Sequence, residues 1–88
     1  MLSKRAQRDL RRLPAHIVDR LQAWVRSVAL QGLEEVRKVP GYHDEVLKGE
    51  RHGQRSIRLS RHYRAIYELK NDGRIEFASV EEVNKHAY

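Results

Sequence analysis

A chain of 88 residues with 40% apolar and 34% charged side chains is expected to form one small globular domain, burying only about 60–65% of the surface its unfolded chain exposes. Eighteen Lys and Arg against 12 Asp and Glu give a formal net charge of +6, and 13 of those cations are Arg, whose flat five-donor fork suits phosphate and carboxylate. The lack of cysteine excludes a disulfide framework, a thiolate zinc site and a thiol nucleophile, no apolar run approaches the roughly 18–20 residues of a membrane span, and no signal peptide opens the chain, so the expectation is a cytoplasmic protein, off the membrane, with an anionic partner, nucleic acid first.

The first half reads as helix. Ala6, Leu10 and Leu13 recur at i, i+4 and i+7 behind Ser3, a good N-cap. Pro14 breaks this helix and can open the next at its first turn. Ile17, Leu21, Trp24, Val25 and Val28 then form one apolar stripe up to Gln31, and Gly32 suits the residue after a helix end. A short helical piece over Leu33–Lys38 stops at Pro40-Gly41. The second half switches to a period of two. Ile57 and Leu59 alternate with Ser56 and Arg58, and Tyr63, Ala65, Tyr67 and Leu69 alternate with Arg64, Ile66 and Glu68. Asn71-Asp72-Gly73 is a strong turn. Alternation in the last strand sets Ile75, Phe77 and Ser79 on one face and Ala78 and Val80 on the other. The predicted architecture is α+β, a helical hairpin over about 3–31 packed on an antiparallel sheet of three to four strands over about 45–80, with a tail over 81–88. Trp24, Tyr63 and Tyr67 are expected in the core, and Tyr42 and Tyr88 are free to stack on a base.

The charge is concentrated. Lys48, Arg51, Arg55, Arg58, Arg61 and Arg64 stand against Glu50 alone, a net +5 in 17 residues, while the rest of the chain is nearly neutral. If residues 60–62 form the loop between two strands, Ile57 faces Ala65, Leu59 faces Tyr63 and Arg58 faces Arg64. The two Arg then share the face away from the helices, where like charges across a ladder destabilise it unless both side chains splay into water or an anion such as a bound phosphate compensates. Cleavage of an RNA phosphodiester needs a base for the 2′-OH, an acid for the leaving 5′-oxygen and cations for the developing charge. Glu45, His86 and Arg64 meet that need without a metal. His52, His62 and His86 have no recognised ligand spacing, and their Arg neighbours repel a cation, so neither a metal nor another cofactor is expected. No Gly-rich phosphate loop and no G-x-S-x-G or H-E-x-x-H motif is present.

The run Glu45-Val-Leu-Lys48-Gly49, then Arg55-Ser-Ile-Arg58-Leu59, then Tyr63-Arg64-Ala-Ile-Tyr67, closed by Ser79-Val80 and a His-containing tail, resembles the RelE/ParE toxins of bacterial type II toxin–antitoxin modules. The likeness is closer to the RelE and YoeB mRNA interferases. It implies a small sheet against two helices and a metal-independent, ribosome-dependent ribonuclease that cuts mRNA by 2′-OH attack, partnered by a cognate antitoxin. Carried over, Glu45 is the general base, Arg64 steadies the scissile phosphate, and Arg58 is a basic position one strand earlier. Lys48 contacts the phosphate or leaving group, His86 is the general acid and Tyr88 stacks on substrate. Arg51, Arg55 and Arg61 hold ribosomal RNA in a salt-dependent way. This chain departs from the pattern twice: only Met1 and Leu2 precede Ser3, where the family has a short first strand, and the tail is His-Ala-Tyr instead of His-Tyr. The same family holds the ParE proteins, which poison DNA gyrase and need no ribonuclease residues. A third alternative is a non-catalytic RNA-binding module, indifferent to loss of Glu45 or His86.

Overall fold

Punctuation residues set the helix ends. In the computed structural model, which describes residues 2–83, α1 spans Lys4–Leu10, and the Ser3 side chain accepts a hydrogen bond from the Ala6 backbone N–H. Pro14 precedes α2, Ala15–Gln31, and Gly32 ends it at φ 85°, its N–H donating to the Val28 carbonyl at 2.8 Å. That backbone favours glycine, which has no Cβ to clash. One further turn, α3 (Leu33–Val36), follows before a 3-10 turn at Pro40–Tyr42.

The strands β1 (Glu45–Val46), β2 (Gln54–Arg58), β3 (Tyr63–Leu69) and β4 (Ile75–Glu82) form one antiparallel sheet in the order β1-β2-β3-β4. The architecture is the expected α+β. Ile57 pairs with Ala65 and Arg58 with Arg64, the register read from the sequence. One sheet face packs on the helices: Ile17, Leu21 and Trp24 from α2 meet Ile57, Ala65, Tyr67, Phe77 and Val80. The Trp24, Tyr67 and Phe77 rings pack edge-on or tilted, with centroids 5.1 to 6.1 Å apart, a spacing that adds to the area they bury. Val25, expected in the stripe, is instead 46% exposed.

β4 breaks strict alternation. Ile66 pairs with Ser79 but Tyr67 pairs with Phe77, leaving Ala78 as an extra residue. This bulge moves Val80 to the core face and Ser79 to the opposite one, reversing the expected assignment of both. α1 uses the backbone groups around it. The Ser3 N–H donates to the Phe77 carbonyl at 3.0 Å, the Ser3 hydroxyl donates to the Ala78 carbonyl at 2.8 Å, and the Val80 N–H donates to Asp9 Oδ2 at 2.9 Å. α1 thus satisfies polar groups along the β4 edge that would otherwise offer pairing to another chain. Ahead of α1, Leu2 forms an isolated parallel bridge with Phe77.

A second tie joins the connection after α3 to the sheet. The Asp44 side chain is 0% exposed and accepts from Arg55 Nε at 2.6 Å and from the Tyr67 hydroxyl at 2.6 Å. Arg55 has the parity of Ile57, so it projects to the core side of the sheet. Burial would lower its pKa, but the Asp44 hydrogen bond and charge leave it raised. Burial, and then the Asp44 carboxylate, push the Tyr67 phenol up despite the opposing Arg55.

Ser3→Ala removes both the α1 cap and a link to the bulge and should cost about 1–2 kcal/mol in urea unfolding. Tyr67→Phe leaves Asp44 one donor short and should cost about 1–3 kcal/mol near neutral pH. Because the folded phenol titrates above its unfolded value of about 10, its contribution is complete below that pH and is lost as pH rises through the folded value. The stability gap between wild type and Tyr67→Phe should therefore hold up to about pH 10 and narrow above it; a gap that stays constant above about pH 10 would separate Tyr67 ionisation from stability.

Candidate functional site

Cross-strand partners share a face. The pairings therefore set Glu45, Ser56, Arg58, Arg64, Ile66, Ser79 and Glu81 on the side of the sheet away from the helices. An open pocket of about 190 Å³ lies there, lined by His43, Glu45, Ser56, Arg58, Ser60, Arg61, Tyr63, Arg64 and Val83. Glu45, Arg58 and Arg61 are exposed and Arg64 is half-buried. Four of the predicted site residues thus meet in one place.

Glu45 reaches the pocket because β1 is only two residues long and follows directly on the buried Asp44. On the other side of Asp44, His43 adopts φ 45°, ψ 52°. Left-handed backbone costs a non-glycine residue about 1–2 kcal/mol, and it persists where surrounding structure enforces it. Here the Asp44 bonds and the N–H of His43, which donates to the Pro40 carbonyl at 3.1 Å, hold it. The turn brings an imidazole to the pocket rim that the sequence pattern did not single out.

Arg58 and Arg64 stand side by side, as the register required. The chain itself supplies a compensating anion. Glu81 pairs across the ladder with Arg64, and its carboxylate receives Arg64 Nη2 at 3.0 Å and Nε at 3.3 Å. The same carboxylate receives Arg51 Nη2 at 2.9 Å and Nη1 at 3.2 Å, and the Ser79 hydroxyl donates to it at 3.0 Å. With its side chain 18% exposed, burial would raise the Glu81 pKa, but the bonds from Arg51, Arg64 and Ser79 outweigh this and leave it lowered. Sequence reasoning missed Glu81 because strict alternation from Phe77 points it into the core. An acidic residue at a core parity was the available sign of the bulge.

Two assignments change. Arg55 is committed to Asp44 on the core side with its side chain 19% exposed, so its guanidinium belongs to the scaffold and not to an RNA-facing set. Arg51, by contrast, does lie over the outer face, paired with Glu81. Tyr42 is not free to stack on a base: it is 7% exposed in the core, with the Arg20 guanidinium 4.5 Å over its ring. Lys48 is exposed just before the 3-10 turn Gly49–Arg51. His86 and Tyr88 lie outside the described residues. Among the described residues, no group of three or more His, Asp or Glu is arranged to hold a metal ion, and no helix is long and apolar enough to cross a membrane.

The family model for the ParE toxin of the type II toxin–antitoxin system parDE matches residues 1–82. No individually curated protein matches the sequence. Among solved structures, YafQ from Escherichia coli strain BL21(DE3) superposes with a TM-score of 0.74 at 16% identity, covering 92% of this chain and 88% of that one. YoeB in the YoeB–YefM complex of Staphylococcus aureus gives 0.72 at 20% identity, covering 92% and 91%. The YoeB/ParE toxin of Agrobacterium tumefaciens gives 0.70 at 20% identity, covering 96% of each chain. At such identities the structures show a shared fold, a helical pair on a small antiparallel sheet. With the family match running over nearly its whole length, the chain belongs to the ParE toxin family, within the RelE/ParE superfamily of type II toxin–antitoxin toxins.

Proposed function

We propose that this toxin is a ribosome-dependent mRNA endonuclease that cleaves without a metal, by attack of a 2′-OH on the adjacent phosphodiester. The observation that carries this reading is the open pocket that Glu45 shares with Arg58, Arg61 and Arg64. A carboxylate beside a cationic cradle is the arrangement in-line attack requires. Glu45 takes the 2′-OH proton, and Arg64 with Arg58 binds the phosphate and stabilises the charge that builds on its oxygens. His86 protonates the leaving 5′-oxygen, and Tyr88 stacks on a base. Lys48, Arg51 and Arg61 carry electrostatic contact to the ribosome and mRNA, which weakens as salt rises. The work is done in the cytoplasm, where translated mRNA is found. A cognate antitoxin holds the toxin inactive; the fold's occurrence in the YoeB–YefM complex supports a partner of that kind.

A second reading has its own support, since the matching family model carries the ParE name and in that branch the target is DNA gyrase. The two separate cleanly. Brief induction of the wild type should arrest growth and leave new 5′ ends within translated mRNA, while purified toxin leaves gyrase supercoiling intact. Inhibited supercoiling with intact mRNA would establish the second reading instead. Binding to RNA with neither effect would mark a non-catalytic module. Within the nuclease reading, Glu45→Gln and Arg64→Ala should each lower cleavage by roughly 10²-fold or more, with the fold retained by circular dichroism. Cleavage unchanged in both variants would remove Glu45 and Arg64 from the site.

A further inference from the structure

Beside the Glu45 pocket, and sharing Arg64 with it, Glu81 sits in a cradle of two guanidiniums and a hydroxyl. We infer that Arg51, Arg64 and Ser79 form a second anion subsite that takes an RNA phosphodiester, and that the Glu81 carboxylate is its built-in occupant, which the RNA displaces. The subsite rests on the outer face being the RNA-binding face.

The geometry is that of phosphate recognition with a carboxylate in the ligand's place. Arg64 presents its Nε–Nη2 edge and Arg51 its Nη1–Nη2 edge, so both planar forks are turned on one anion, and Ser79 adds a donor at 3.0 Å. The Arg64 fork converges on Oε1 while Arg51 spans both oxygens, and the two non-bridging oxygens of a phosphodiester could take the same donors. The floor is apolar: Ile66, the cross-strand partner of Ser79, is on this face and 1% exposed, which strengthens the electrostatics above it. Two cations share one carboxylate, so the cradle keeps a net positive charge while occupied. Exchange of one anion for another conserves the Arg hydrogen bonds and frees a carboxylate to water. The cost of that exchange holds down the affinity of the empty toxin for RNA. It also keeps Arg64 from splaying away from Arg58 before substrate arrives.

The test is binding, not cleavage. A labelled single-stranded RNA of about ten nucleotides with 2′-O-methyl groups cannot undergo 2′-OH attack, and its affinity is read by fluorescence anisotropy at low salt and neutral pH. Glu81→Gln removes the competing charge and should bind this RNA roughly three- to tenfold more tightly than wild type. In the Arg64→Ala background the same change should give a gain of about twofold or less, because the fork it would free is missing. Equal or weaker binding by Glu81→Gln overturns the inference. So does an undiminished gain without Arg64, which would make the effect one of net charge alone. Should Glu81→Gln lose cooperative thermal unfolding, Glu81→Asp decides, since it shortens the reach of the carboxylate into the cradle without changing charge: tighter binding supports the subsite and unchanged binding overturns it. Absence of mRNA cleavage by the wild type would sink the nuclease reading while leaving this binding result to stand or fall separately.

Discussion

Asp44 binds two strands at once. Its buried carboxylate accepts from Arg55 on β2 and from Tyr67 on β3, and Tyr67 in turn packs on Trp24 and Phe77 in the core. A carboxylate with no exposed side-chain surface survives only when paired and hydrogen-bonded, and removing one partner of such a pair costs several kcal/mol, on the order of 3–5. The connection after α3 therefore has one place to go. With Asp44 turned inward, His43 and Glu45 are delivered to the pocket on the other side of the sheet. The left-handed turn at His43 is the local cost of that change of direction. The position of the candidate base is thus set by a core interaction rather than by any contact of its own.

The far side of the site depends on an equivalent constraint at β4. One extra residue, Ala78, changes which side chains face outward, and α1 holds the bulge through Ser3 and Asp9. Without it Glu81 would point into the core and Arg51 and Arg64 would lack their shared carboxylate. A helix cap at the start of the chain and an ion pair near its end are linked through a single irregularity. Capping, edge protection and the electrostatics of the outer face are in this sense one structural feature.

The parts of the fold governed by local rules were readable in advance. Ser3 and Gly32 bound helices because their backbone and side-chain preferences act within a few residues. The β2–β3 register followed from alternation and a short loop, and with it the Arg58–Arg64 pair. What alternation could not supply was an insertion that reverses it, so Ser79, Val80 and Glu81 were placed on the wrong faces or passed over. The Asp44 pairing was hidden for a different reason. Its partners lie 11 and 23 residues away, and a charged residue at core parity reads as a surface residue until its partner is known. Arg55 carried a usable signal, since it has the parity of Ile57 and Leu59. The weight of the basic cluster obscured it. Tyr42 was misjudged because its burial comes from long-range packing in the core, with Arg20 of α2 over its ring.

Fold likeness does not choose among targets, because a helical pair on a small antiparallel sheet can serve more than one function. The choice has to be made on the outer face, where the charged residues lie. Arg58 and Arg64 sit opposite each other across a ladder, which costs stability, and Arg61 adds to the same pocket. Glu81 offsets part of this charge but spends its carboxylate on Arg64 and Arg51. A surface concerned only with solubility would intersperse signs or let the cations spread into water. This one sets Arg58, Arg61 and Arg64 along the same open pocket as Glu45. On the proposed reading, a phosphodiester, with one charge and two equivalent oxygens, would occupy that pocket.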